Sequence, residues 1–146
     1  MKISELILEG ASMIPYFRTE KEFDGKKQTV WSFPDAWAKD EELETPYLSN
    51  SSMRQFLSGL GYSADFEDEP PIDIKEFIAR TTQWLQKNID KRSPEEEPTV
   101  MKQPKGPTMI SGGKPEGWMN MQVKYHNELA RKIKQAHPEI THVGFN

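Results

Sequence analysis

The sequence has no cysteine and few apolar residues, and each shortage excludes a class of protein. Without cysteine there is no disulfide framework, no thiolate metal site and no cysteine nucleophile. Hydrophobic residues make up only 35% of the 146 residues, and the mean hydropathy is -0.79. No apolar run approaches the roughly 18 residues that span a bilayer, so we expect a soluble, cytoplasmic protein without a membrane partner.

A surplus of basic side chains is also missing. The chain has 19 Lys and Arg against 23 Asp and Glu, which gives a formal net charge of -4. Because duplex nucleic acid is bound by surfaces that neutralise its phosphates, we expect no such partner here, but a protein partner or a small ligand. Large side chains are present instead, with four Trp, seven Phe, four Tyr and seven Met. They suffice for the core of one domain.

Three amphipathic segments predict three main helices, near residues 51–60, 73–89 and 117–136. Capping side chains at 49–52 and at Asp73 are typical of helix starts, and Gly61 is typical of a helix end. The predicted stripe of the second helix is Ile74, Phe77, Ile78, Thr81, Leu85 and Ile89; Trp84 lies off it, as an extension of the core or a contact patch. The predicted apolar face of the third helix is Trp118, Met121, Tyr125, Leu129, Ile133 and Ala136.

QTVWSF at 28–33 predicts a strand that Pro34 ends. The alternating segment at 140–145 predicts a second strand, in which Ile140, His142 and Gly144 point to one side. The Pro/Gly-rich loop at 90–117 contains the pieces TVMK and PTMIS, which we expect to pair as a small antiparallel ribbon. The predicted fold is a single α+β domain over residues 11–146, with about three main helices packed on a small, mostly antiparallel sheet.

Residues 1–10 form a separate N-terminal segment with two open interpretations. KISELILE, at 2–9, predicts a helix too short to be stable alone, so Gly10 would end a helix docked on the core. Alternatively, Ile7-Leu8-Glu9 before Gly10 resembles the removable segments of proteins packaged in the proheads of large contractile-tailed phages. These are cut after an apolar-x-Glu triplet and before a small residue. The resemblance implies a processing site between Glu9 and Gly10.

Several polar residues are candidates for ligand binding, each with a structural alternative. In SGGKPEG, at 111–117, free amides at a helix start together with Lys114 would favour an anion, but a flexible turn explains the same residues. Ser49 and Asn50 suit either helix capping or oxyanion chemistry. The candidate binding residues are Ser49, Asn50, Lys114, Trp118 and His142.

The histidines favour pairing over metal binding. His126, His137 and His142 lie on a predicted helix, at its end and on a strand, without an H-E-x-x-H pattern. We therefore predict no metal site, and we assign no catalytic residue and no cofactor.

From Leu48 onward the chain has LSN at 48–50, LG at 60–61, GKPEGW at 113–118 and THV at 141–143. These motifs resemble those of a family of small uncharacterised proteins of bacterial and phage genomes. That family has an LSNxN helix start ending in LGL, and a GxxEGY helix start followed by a strand near THVxW. The matching residues here are Ser49, Asn50, Leu60, Gly61, Gly113, Glu116, Gly117, Thr141, His142 and Val143. The chain departs from the pattern at Ser52, Trp118 and Phe145. The resemblance implies a shared fold unit and no particular reaction.

These observations favour a non-enzymatic, phage-type protein that binds a host protein or small ligand, in the host cytoplasm or packaged in the virion. One alternative is a virion structural or assembly component whose loop at 90–117 docks on neighbouring copies. Another is a small nucleotide-binding protein or enzyme that uses Asn50, Lys114 and His142 together. The sequence leaves the oligomeric state open.

Overall fold

The structure is a computed structural model that describes residues 10–32, 47–67, 69–97, 99–101, 109–111 and 113–146. The predicted helix at 2–9 lies outside these residues. The described elements, in chain order, are β1 (Gly10–Ala11), β2 (Met13–Phe23), β3 (Lys26–Ser32), β4 (Leu48–Ser49), α1 (Asn50–Gly59), β5 (Ile72–Asp73), α2 (Ile74–Lys87), β6 (Thr99–Met101), β7 (Met109–Ser111), α3 (Trp118–Ala136) and β8 (His142–Phe145).

The central sheet has four strands in the order β3-β2-β8-β5, and every neighbouring pair is antiparallel. β8 lies inside this sheet, where His142 is opposite Tyr16 on one side and Asp73 on the other. β1 pairs with β4, and β6 pairs with β7 as the antiparallel ribbon that the sequence predicts. The predicted α+β class with three helices and a mostly antiparallel sheet is confirmed for the described residues.

The strand predicted at 28–33 is confirmed over residues 28–32 as part of β3, whereas β2, its partner in the β2–β3 hairpin, is missing from the predictions. The sequence nevertheless carries a signal for this hairpin. Asp24 and Gly25 form its turn with φ of 50° and 75°. An Asp-Gly pair with positive φ at both residues is the preferred two-residue turn between antiparallel strands. Pro15 and the charged residues of β2 obscure the strand pattern, because the far half of the hairpin is exposed to solvent on both faces.

The predicted caps are confirmed by the hydrogen bonds at the helix starts. The Ser49 hydroxyl accepts from the Ser52 amide at 3.2 Å and begins α1. The Asp73 carboxylate accepts from the amides of Lys75 and Glu76 at 2.9 and 3.0 Å and begins α2. Gly61, just after α1, has the positive φ of 87° that the stop signal requires.

The core lies between the three helices and one face of the central sheet. Phe145 of β8 contacts Phe56 of α1 and Phe77 of α2, with ring centroids 6.3 and 5.7 Å apart. The largest fully buried side chains are Phe56, Phe77, Met13, Met53, Leu57, Ile74, Ile133, Ile140, His126, Val123, Val143 and Thr81.

The predicted apolar face of α3 is wrong over the first half of the helix. Met121 and Tyr125 are 56% and 45% exposed, whereas Met119, Val123 and His126 are buried. Ala136 is also exposed. The positions of the large apolar residues predict a face that omits the polar His126 and Asn127, although both are buried. Since each residue turns a helix by about 100°, the predicted face is rotated about the helix axis relative to the observed one.

Two smaller boundaries also differ from the predictions. α2 ends at Lys87 with Asn88 as its C-cap, so Ile89 lies beyond the helix and is 80% exposed. β8 begins only at His142, so Ile140 precedes the strand. Ile140 is fully buried, whereas His142 and Gly144, with which it was predicted to share a face, are only half-buried. Trp84 is half-buried and packs against the core. Within the described residues, no helix is long and apolar enough to cross a membrane.

Candidate functional site

Two of the predicted binding residues, Lys114 and Trp118, lie together. The Lys114 ammonium is 5.0 Å from the centre of the Trp118 ring, in cation–π range. Lys114 also exchanges two backbone hydrogen bonds of 2.8 Å with Glu96, whose carboxylate accepts from the Gln55 amide at 2.8 Å. These side chains line a pocket of about 170 Å³ between α1 and the start of α3.

The helix start beside this pocket is already capped by the protein. Gly117 is the N-cap of α3 and has φ of 78°, a conformation that favours glycine. The Ser93 hydroxyl accepts from the Met119 amide at 3.1 Å, and the Ser93 carbonyl accepts from the Gly117 amide at 2.9 Å. The Trp118 amide donates to the Pro115 carbonyl at 3.1 Å. Three of the amides that an anion would use are therefore paired internally.

Ser49 and Asn50 lie on the other side of the central sheet from His142. Ser49 pairs with Gly10 in the β1–β4 sheet, whereas His142 pairs with Tyr16 in the central sheet. α1 packs through Phe56 against the Phe145 side of the sheet, whereas His142 points to the other side because side chains alternate along a strand. The structure does not bring Asn50 and His142 into one pocket.

His142 belongs to a polar and aromatic patch on the outer side of the sheet. Its Nδ1 is 2.8 Å from the Thr141 hydroxyl, and its ring packs edge-on against Trp31 at 4.6 Å. Partial burial lowers the pKa of His142, and the nearby Asp73 carboxylate opposes that shift. Pairing with its neighbours accounts for His142 without a ligand.

A groove between the second half of α2 and the outer side of α3 is larger than the Lys114 pocket. Its volume is about 810 Å³. Three apolar residues of the predicted core faces line it: Leu85 is half-buried, whereas Met121 and Ile89 are 56% and 80% exposed. Its lining residues are Thr82, Leu85, Gln86, Asn88, Ile89, Arg92, Gly117, Asn120, Met121, Lys124, Asn127, Glu128 and Arg131.

Hydrogen bonds between the helices hold the walls of the groove in place. The Asn127 amide, 5% exposed, donates to the Thr81 and Thr82 hydroxyls at 2.7 and 3.0 Å. The Arg131 guanidinium donates to the Thr82 hydroxyl at 2.9 Å. These bonds cross from α3 to α2 and connect the two walls directly.

Asn120 closes the end of the groove by fixing the segment that follows α2. Its amide donates to the carbonyls of Asn88 and Lys91 at 3.4 and 2.8 Å. Its side-chain oxygen accepts from the Ser93 amide at 2.9 Å. The segment carrying Ile89 and Arg92 is thus tied to α3.

The groove is basic although the whole chain is acidic. Its charged lining residues are Arg92, Lys124 and Arg131 against Glu128, on a chain with a net charge of -4. Among the described residues, no ion pair within 4 Å involves Arg92, Lys124 or Glu128. The cations at Arg92 and Lys124 are therefore available to a partner.

The sequence does not predict this groove, because large apolar residues at helical spacing predict a buried face. An overlooked signal was available in α3, where Asn120, Lys124, Asn127 and Arg131 recur at spacings of three and four and indicate a polar face.

The part of the chain that the structure describes contains no group of three or more His, Asp or Glu side chains close enough to hold a metal ion.

Comparisons with known proteins identify no relative of this chain. No protein-family model matches the chain, and neither the curated proteins nor the solved structures give a significant match.

Proposed function

We propose that this protein acts by binding a protein partner in the α2–α3 groove, without catalysing a reaction. The observation that carries the proposal is the exposure of Met121 and Ile89 on the walls of one continuous groove. Exposed apolar side chains that lie in a groove rather than singly are typical of contact surfaces.

Among the predicted site residues, Ser49 caps α1 and Lys114 contacts Trp118. His142 contacts Thr141 and Trp31. The groove is therefore the better candidate.

The dimensions of the groove favour a segment of protein over a small ligand. Its lining residues on α3 extend from Gly117 to Arg131, which corresponds to about 21 Å of helix at 1.5 Å per residue. A helix or extended segment can lie along a surface of this length, as in complexes where an amphipathic helix occupies a groove between two helices.

The two alternatives from the sequence have less support. A nucleotide site that uses Asn50, Lys114 and His142 together needs these side chains to converge. Asn50 begins α1, which packs against the Phe145 side of the central sheet, whereas His142 points to the other side. An assembly role for the loop at 90–117 depends in part on residues outside the described ranges. Phage packaging and delivery remain compatible with a groove-binding protein and form part of the proposal.

Site-specific photo-crosslinking tests the proposal. A benzophenone amino acid is placed at Met121 in the groove and, as a control, at Lys27 in the exposed far part of the β2–β3 hairpin. We expect one discrete crosslinked protein from position 121 in the producing cells, and none from position 27. Identical products at both positions, or none at 121, would contradict a partner in the groove.

A further inference from the structure

We infer that the groove binds an acidic, amphipathic helical segment that carries large apolar side chains. This inference rests on the proposed function and specifies the chemistry of the partner. It follows from two properties that the groove combines, a local positive charge and exposed apolar side chains.

The first property is the reversal of charge sign between the groove and the rest of the chain. Residues 74–92 contain five basic and two acidic side chains, and residues 118–136 contain four basic and one acidic. The acidic excess of the protein thus lies elsewhere. Unpaired cations beside a groove attract carboxylates and orient them during association.

The spacing of the cations fits acidic side chains on a helix. Lys124 and Arg131 are seven residues apart on α3, which places them on the same face about 10.5 Å apart. Arg92 lies beside the start of the helix, near Gly117. Carboxylates two turns apart on a partner helix would reach both cations of α3.

The second property, the apolar contribution, favours a peptide over a nucleic acid. Met121 lies about one helical turn before Lys124, and Ile89 lies on the facing wall. A thioether and a branched aliphatic side chain suit aliphatic or aromatic anchors of a peptide. Single-stranded nucleic acid is held largely by stacking on aromatic rings, and the described lining of the groove contains no Trp, Tyr or Phe.

Binding of matched peptides by fluorescence anisotropy tests the inference. The probe is a labelled helical peptide of about 16 residues, long enough to follow the groove, with Leu on one face and Glu flanking it. One matched peptide replaces Glu by Lys, and another replaces Leu by Ser. We expect the acidic, Leu-bearing peptide to bind at least about tenfold more tightly than either, and to weaken between about 50 mM and 500 mM salt.

Protein variants assign the binding to the groove. The double variant Arg92→Glu, Lys124→Glu should weaken binding of the acidic peptide at least about tenfold, whereas Lys27→Glu, with the same charge change per site on the distant hairpin, should alter it less than about twofold. Met121→Glu should also weaken it. Circular dichroism and melting curves confirm that each variant is folded.

The outcomes separate this inference from the proposed function. If the Lys peptide binds as tightly as the Glu peptide, and both lose affinity for Met121→Glu, the inference of an acidic partner is overturned. The groove would then still be a binding site. Peptide binding that is insensitive to Met121→Glu would overturn the groove itself. A single-stranded oligonucleotide that binds more tightly than the acidic peptide and displaces it would overturn the inference in favour of a nucleic acid.

Discussion

His126 places a neutral imidazole in the core. Its ring is fully buried and stacks on Phe56 with centroids 4.4 Å apart. Nδ1 donates to the Gln122 carbonyl at 2.8 Å, which leaves Nε2 as a buried acceptor without a hydrogen-bond partner among the described residues. Burial lowers the pKa of His126 from 6.5 to about 4, because a charged imidazolium would lose its hydration there.

This histidine makes the protein sensitive to acid. Between pH 6.5 and about 4 the unfolded chain protonates His126 and the folded chain does not, so the unfolded state binds more protons and stability falls as the pH is lowered. The shift implies a loss of about 2 kcal/mol at pH 5 relative to neutral pH. Urea unfolding at pH 7 and pH 5 measures it.

The control is His126→Phe, which keeps an aromatic ring beside Phe56 and removes the titrating group. We expect the difference between its unfolding free energies at pH 7 and pH 5 to be smaller than that of the unchanged protein by about 2 kcal/mol. An equal pH dependence in both proteins would show that His126 is not the responsible group.

Gly10 has a packing requirement that bears on the predicted processing site. A Cβ at this position would lie 2.4 Å from the Leu48 carbonyl oxygen and 2.6 Å from the Tyr47 ring. The next residue, Ala11, is 1% exposed in the core. Close packing therefore explains why two small residues follow Glu9, and a protease cleavage site is not needed to explain them. Processing between Glu9 and Gly10 remains a prediction.

Among the elements, α2 shows most directly how a sequence pattern becomes packing. Its N-terminus is capped by Asp73, and it buries Ile74, Phe77 and Thr81. The predicted stripe is confirmed at these three positions, and Ile78 and Leu85 are half-buried beside them. The pattern succeeded because one side of α2 packs against α3 and the sheet while the opposite side carries ordinary solvated charges.

Substitutions on the two sides of α2 should therefore differ strongly. Phe77→Asp places a carboxylate at a fully buried position beside Phe145 and should reduce the free energy of unfolding by about 3–5 kcal/mol. Lys87→Asp, on the exposed last turn, should cost less than about 1 kcal/mol. Thermal and urea denaturation measure both, and equal melting temperatures would refute the assigned face.

The delivery hypothesis predicts the effect of deleting residues 1–9, because it treats them as removable. Deleting residues 1–9 should then shift the melting temperature by less than about 2 °C, and protein recovered from particles should begin at Gly10. Differential scanning calorimetry and N-terminal mass spectrometry test the two statements.

A docked helix predicts the opposite result. Burying Ile3, Leu6 and Ile7 would contribute roughly 1.5–3 kcal/mol each before entropy costs, so the deletion would lower the melting temperature by several degrees. A destabilised deletion variant, together with particle-derived protein that still begins at Met1, would remove the delivery hypothesis.

Local signals in the sequence were sufficient for the α+β class, the three helices and their caps. Ser49, Asp73 and Gly61 act through atoms within three or four residues of themselves, so their roles can be inferred from neighbouring sequence. The Asp24-Gly25 turn is equally local and could have been predicted.

The groove and the buried His126 depended on contacts between residues distant in sequence. Asn127 bonds to Thr81 and Thr82 across two helices, and this contact determines which side of α3 is buried. Polarity alone had assigned Met121 to the core, yet the orientation of a helix is set by the partners available to every side chain, polar ones included. The rotation of α3 against α2 therefore decided that Met121 is exposed on a basic groove.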